Sequence, residues 1–220
     1  MEKSKVYFTK NITPTSLLEI YEKLEKKVSG NVGIKISTGE LGGHNYLKPE
    51  LIKELVQKVE GTIIECNTAY AGNRNTTEAH LENIKAHGFD KIANVDIMDA
   101  TEDMEIPVNG KHLDVNIVGK NLENYDFIIN LAHFKGHQMG GFGGVIKNQS
   151  IGIASSRGKA YIHSVGKTKN VDELWKEENT KDQEGFLESM AESALSVYKY
   201  MNGNIVYINV LNNLSVDCDC

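Results

Sequence analysis

The sequence predicts an α/β protein: a mainly parallel sheet with helices on both faces and a small antiparallel hairpin extension. Three observations predict it. Short apolar runs alternate with amphipathic segments of helical period over the first ninety residues, the pattern of successive β-α units. Two β-like runs flank Asn109-Gly110, a hairpin signal. An apolar strand, "NIVYINVL", closes the chain after a long helical segment.

In order, "KVYFT" (5–9) reads as a short strand. "TPTSLLEIYEKLEKKV" follows as a helix, with a Thr cap, an early Pro and apolar residues at Leu17, Leu18, Tyr21, Leu24 and Val28. "NVGIKIS" is the second strand. "LKPELIKELVQKVEG" is the second helix, with Pro49 in its first turn and Gly61 past its end. "TIIECNT" and "TTEAHLENIKAHGF" give a third strand and a third helix, which ends at Gly88. The rhythm breaks at 105–118, "EIPVNGKHLDVNIV", where Asn109-Gly110 predicts a type I′ turn and a hairpin decoration. "DFIINLA" resumes as a buried strand. A polar stretch (164–183) with the single Trp175 precedes a helix at "GFLESMAESALSVYKYM" and the last strand. The whole chain, 1–220, reads as one α/β domain.

Composition narrows the function. The chain is 40% apolar and 25% charged, ordinary for a globular protein, and its length suits one substantial domain. A formal charge of −6 argues against nucleic acid as a partner. No apolar run approaches the roughly 18 residues of a membrane span, and the N-terminus lacks the apolar stretch of a signal peptide. Three cysteines do not make a disulfide scaffold, so the expected compartment is the cytoplasm.

In an open parallel sheet, ligands bind where strands end. Three strand-end loops are rich in glycine and polar residues: "STGELGGHNY", "NTAYAGNRNT" and "HFKGHQMGGFGG". Glycine allows close backbone approach and positive φ, so Gly42, Gly43, Gly140, Gly141, Gly143 and Gly144 are candidates to cradle an anionic ligand. Lys135 and Lys147 add charge, and Arg74 offers a bidentate clamp. Taken singly, each loop is better explained as a tight connection; three at strand ends point to a shared cleft. His80, His87 and His112 read as surface or packing residues. His44, His133, His137 and His163 fall in or near glycine-rich turns, where imidazole can carry a proton or bind a metal. The terminal "VDCDC" places the Cys218 and Cys220 thiols where they could hold a metal. With Cys66 they are the only cysteines, which excludes an intrachain four-cysteine iron–sulfur cluster.

The segments "GIKISTGELGGHNYLKPELIKELV", "NTAYAGNRNTTEAHL", "HFKGHQMGGFGGVIKN" and "INVLNNLSVDCDC" resemble domain of unknown function family 362, whose members carry an iron–sulfur-centre label. The resemblance covers nearly the whole chain. Fuller members have a ferredoxin-type insert after the segment matching "GKAYIHSVGK"; here that place holds "TKNVDELWKEENTKDQEG", without cysteine. The label is therefore not carried over. Members also continue past the Cys-x-Cys into a segment rich in Asp and Pro, which implies that part of a site is absent here.

More loosely, "HQMGGFGGVIK" resembles the glycine-rich segment of the lactate racemase family, which binds a tethered nickel-pincer nucleotide. The resemblance implies Lys147 as cofactor anchor, His137 as acid/base ten residues earlier, and His163 as metal ligand. "AGNRNTTEAHL" resembles the racemase loop bearing a catalytic His-Arg pair; Arg74 fits, but Asn73 replaces the His. Two readings follow. One is an enzyme with redox or proton-transfer chemistry on a small anionic molecule, helped by a divalent metal or nucleotide-like cofactor. The other is a non-catalytic binding or electron-transfer accessory module served by a ferredoxin-type partner.

Overall fold

The computed structural model describes residues 3–214. Along them run α1 (Pro14–Lys23), β1 (Val32–Lys35), α2 (Pro49–Lys58), β2 (Thr62–Glu65), α3 (Thr77–Ala86), β3 (Val95–Ile97), β4 (Asp103–Pro107), β5 (Val115–Gly119) and β6 (Phe127–His133). There follow β7 (Lys135–His137), β8 (Gly141–Gly143), α4 (Val145–Ser150), α5 (Ser156–His163), α6 (Glu177–Thr180), α7 (Gln183–Tyr200) and β9 (Ile205–Val210). Five strands form one all-parallel sheet in the order β3-β2-β1-β6-β9. The winding runs outward from β1 to β3, then reverses to β6 and β9. That reversal opens a crevice beyond the carboxyl ends of β1 and β6.

Period-2 alternation assigns the two faces. Ile34, Ile63, Ile129 and Leu131 pack with Leu17 and Tyr21 of α1, Ile52, Leu55 and Val56 of α2, and Ile84 of α3. Ile64, Ile128 and Ile205 pack the other way, with Val118 of β5, Ile153, and Val197 and Met201 near the end of α7. Each such fully buried aliphatic side chain contributes about 1.5–3 kcal/mol. Lys35, next to Ile34, therefore turns to the second face, under α4.

Thr13 caps α1: its side chain accepts from Ser16 N at 3.1 Å, while Ser16 Oγ accepts from Thr13 N at 3.0 Å. The helix stops at Lys23, short of the expected Val28, because Leu24 turns extended. Leu24 and Val28 still pack against the core, from non-helical chain. The strand expected at 5–9 is not formed. No described strand pairs with that segment, and Val6 and Phe8 stand 89% and 77% exposed.

β4 and β5 form the expected antiparallel hairpin, spanning Asp103–Gly119. Its turn is not type I′: Asn109 has φ +53° but Gly110 is not left-handed, and residues 108–114 make a longer loop. Glu192 of α7 holds that loop, accepting from Lys111 N at 2.7 Å and Leu113 N at 3.0 Å. A Cβ at Gly110 would stand 2.3 Å from the Glu192 carboxylate and would displace it from that loop. β3, α5 and the small antiparallel pair β7–β8 were not legible as elements in the sequence. Among the described residues no helix is long and apolar enough to cross a membrane.

Candidate functional site

A cavity of about 580 Å³ opens at the crevice beyond β1 and β6. Each neighbouring segment contributes side chains to it. Lys35 comes from β1, Glu40 and Tyr46 from the β1–α2 loop, Glu65 from β2, and Tyr70 and Arg74 from the β2–α3 loop. Lys135 and His137 come from β7, Lys147 and Asn148 from α4, and Lys159 and His163 from α5. Trp175, in the polar stretch, lies on its rim and is half exposed.

The floor is a buried charge network. Arg74 is 7% exposed. Its Nε donates to Glu40 Oε1 at 3.0 Å, Nη1 to Ser37 Oγ at 3.2 Å and Nη2 to Tyr70 OH at 3.2 Å. Its Nη1 also lies 3.7 Å from Glu65 Oε2. Burial alone would lower the Arg74 pKa, but Glu65, Tyr70 and Glu40 raise it, so the guanidinium stays charged. Burial alone would raise Glu65. The His80 ring at 3.8 Å, Lys35 and Arg74 reverse that and hold the carboxyl well below the usual range. Glu65 Oε1 also accepts from Thr38 N at 2.7 Å. His80 is wholly buried, a packing residue as the sequence suggested, but one that completes this network.

Lys35 was not singled out from the sequence. It is 1% exposed, and burial pushes its pKa down to about 8. Its Nζ donates to Asn148 Oδ1 at 3.1 Å and to the Ile36 carbonyl. Asn148 Nδ2 in turn donates to the Lys35 carbonyl at 2.9 Å and to Asn130 Oδ1 at 2.8 Å, tying α4 to the two central strands. A lysine inside an otherwise apolar strand, "VGIKI", was the available signal.

The opening between β6 and α4 is organised differently from the expected loop. Residues 135–143 fold back as the β7–β8 pair, and α4 is only six residues long, too short to concentrate a helix dipole on a ligand. Of its glycines only Gly141 has positive φ, at +72°, and it sits in the hairpin with Gly140, outside the cavity lining. The expected nest of converging glycine N–H groups is therefore absent from this stretch. Gly143 and Gly144 do line the cavity. Gly144 is closely packed: a Cβ there would lie 3.0 Å from the Phe134 ring and 3.1 Å from the Asn209 side chain.

His137 Nδ1 accepts from Gly140 N at 3.0 Å, which puts the ring proton of the neutral form on Nε2. His163 is the reverse: Nδ1–H donates to the Lys159 carbonyl at 2.7 Å, leaving the lone pair on Nε2. Burial, against Phe186 and near Lys147 and Lys159, lowers the His163 pKa to about 4. His133 donates Nε2–H to the Asn212 carbonyl.

Of the residues singled out in the sequence, the cavity thus gathers Arg74, His133, Lys135, His137, Gly143, Gly144, Lys147 and His163. Gly42, Gly43 and His44 are not among its lining; His44 is exposed on the outer part of a loop that sends Glu40 and Tyr46 inward instead. Cys218 and Cys220 lie outside the described residues. Cys66 is buried, its thiol donating to the Ile153 carbonyl at 3.2 Å, and burial raises its pKa, so it stays a neutral thiol.

The family model described as Domain of unknown function (DUF362) matches residues 32–220, from the first residue of β1 onward. A solved structure, the lactate racemase apoprotein from Thermoanaerobacterium thermosaccharolyticum, is similar over 91% of this chain, with a TM-score of 0.57 and 18% identity. At that identity the likeness speaks for the fold alone. The chain spans about half, 49%, of the length of that protein. No curated protein matches the sequence.

Proposed function

The chain belongs to the family described as Domain of unknown function (DUF362), and we propose that its cavity holds a small anionic ligand or cofactor, with His137 placed to move a proton and His163 to bind a metal. The observation that carries this reading is the opposite tautomers of His137 and His163. In one cavity the neutral His137 presents an Nε2–H that can donate to an anionic ligand, and His163 presents an Nε2 lone pair that can take a metal. Lys135 and Lys147 supply positive potential for the anion. Arg74 serves differently from a substrate clamp. Its guanidinium is engaged by Glu40, Ser37, Tyr70 and Glu65, so it fixes the wall.

Lys147, which lines the cavity, is the residue that would anchor a nucleotide-like cofactor. Among the described residues no three of His, Cys, Asp and Glu converge as a metal cage. A metal here would have the Nε2 of His163 as a protein ligand, with further donors from such a cofactor, and would supply Lewis-acid chemistry. The second reading, a non-catalytic binding module, is supported by Asn73 standing where the racemase-like loop would have a second histidine.

The test is a thermal-shift screen with nucleotides, small carboxylates, phosphate esters and divalent metals on the wild type and Lys147→Ala. Metal analysis and intact mass of fresh protein accompany it. Under the proposal a ligand stabilises the wild type and the variant loses that response while keeping its own melting temperature. An equal response of both proteins would remove Lys147 from the site. No stabilisation by any compound, with no metal or adduct, would remove the ligand-binding reading.

A further inference from the structure

The long helix α7 carries two apolar stripes where a surface helix needs one. Phe186, Met190, Ala194 and Val197 are buried against the body of the protein. On the outward side Glu184, Leu187, Ala191, Leu195 and Tyr198 follow one another at helical spacing, all exposed. Leu187 is 40%, Leu195 51% and Tyr198 45% exposed. Beside the last two, a groove of about 300 Å³ runs between α7 and α4, with Ile146 and Tyr207 in its walls. Both are exposed as well. None of these residues lines the cavity at the strand ends, so this face is separate from the candidate site.

The outward stripe is symmetric about Ala191. Leu187 and Leu195 stand at equal distances on either side of it, and so do Glu184 and Tyr198. A second copy of α7 laid antiparallel, with the two Ala191 at the crossing, sets Leu187 of each copy against Leu195 of the other. Each Leu187 then meets the mouth of the groove beside α4. The small side chain of Ala191 lets the two helices approach closely. Charge chooses the direction. Glu184 lies in the first turn of α7 and Lys199 in the last. Antiparallel pairing brings Glu184 of one copy beside Lys199 of the other at both ends. Parallel pairing would set Glu184 against Glu184 and Lys199 against Lys199, which is repulsive. The helix dipoles favour the antiparallel arrangement too.

We propose that the chain pairs with a second copy of itself through α7, antiparallel about a two-fold axis at Ala191. The contact is isologous, so every side chain in it counts twice. α7 has 18 residues and is about 27 Å long. With a width of about 20 Å, for α7 and the flanking edge of α4, each copy contributes roughly 500 Å², the low end for a specific interface. The dimer is therefore weak and depends on concentration.

The test is sedimentation velocity in reducing buffer, which removes any thiol-linked dimer, from about 5 to about 500 µM protein. The mass of the wild type should rise from the 24.4 kDa of one copy toward twice that value. Leu195→Glu changes an exposed position and should keep its melting temperature. It should raise the dissociation constant about tenfold or more, because a carboxylate then meets Leu187 on both sides of the axis. Glu184→Lys and Lys199→Glu should each weaken the dimer by about threefold, and the double variant should return toward wild type. A wild type that stays monomeric at every concentration overturns the pairing and leaves the face to a different partner; that arm needs no variant to fold. A dimer that Leu195→Glu leaves unchanged lies on another surface and overturns it as well. Failure of the double charge variant to recover overturns the antiparallel arrangement.

Discussion

The His163 ring donates its Nδ1–H to the Lys159 carbonyl oxygen at 2.7 Å, one turn back along α5, and stacks on Phe186 with ring centroids 4.8 Å apart. One contact fixes the tautomer and the other removes water. Burial outweighs the bond to Lys159, which favours the charged ring, and the histidine stays neutral well below its ordinary range.

That state has a pH signature. With a folded pKa of about 4 against 6.5 unfolded, only the unfolded state takes up a proton between those values. The His163 contribution to stability should therefore fall as pH drops from 6.5 toward 4. In metal-free protein the His163 ring NMR signals should not titrate between about pH 8 and pH 5. A midpoint near 6.5 would contradict the burial argument.

Lys35 gives the same sign at higher pH. Its pKa is lowered from 10.5 to about 8 by burial, with Lys159 and Arg74 adding to the effect; Glu65 and the Cys66 site oppose it. The penalty of holding an ammonium there is present below pH 8 and is relieved as pH rises through 8 to 10.5. Urea unfolding of wild type and Lys35→Met across that range should show stability rising in the wild type relative to the variant. Parallel curves would mean that Lys35 titrates normally.

Arg74→Ala should destabilise by about 3–5 kcal/mol, because it strands the buried Glu65 carboxylate and the inner oxygen of Glu40. Arg74→Lys should recover only part of this, since an ammonium cannot reach Glu40, Ser37 and Tyr70 from one plane. Denaturant midpoints of the three proteins are the measurement.

Two glycine substitutions should separate space from backbone strain. A Cβ at Gly158 would stand 1.9 Å from the Ile117 carbonyl oxygen, a backbone atom that cannot swing away. Gly158→Ala should cost about 3 kcal/mol or more and shift α5, carrying Lys159 and His163 out of place. Gly42 has open space but φ +81°, so Gly42→Ala should cost only about 1 kcal/mol. Melting temperatures in the reverse order would refute both assignments.

The α/β class, the long helix α7, the strands β1, β2, β6 and β9, and the hairpin near 109 were legible because each is written in local pattern. Period 2 or 3.6, a Thr cap or a Gly stop is a property of neighbours in the chain. The strand at 5–9 showed the limit of that logic: its pattern is sound, but a strand needs a partner, and none is supplied by the described residues. β3 and β7–β8 are the converse, three residues each, too short to carry a period and formed because a neighbour pairs with them.

The sequence by itself marked candidate residues near strand ends: Arg74, His137, Lys147 and His163 stand out by type and spacing. Only the tertiary structure decided what each can do. Whether Arg74 is a clamp or a strut depends on Glu40 and Glu65, 34 and 9 residues away in the chain, and on the space between them. Which nitrogen of His137 or His163 carries the proton depends on one backbone hydrogen bond apiece. Lys35 turns from one lysine among many into a buried ammonium because the parallel sheet sends alternate β1 side chains under α4. Burial, charge pairing and tautomer are set by groups far apart in the chain, and folding alone brings those groups within hydrogen-bonding distance.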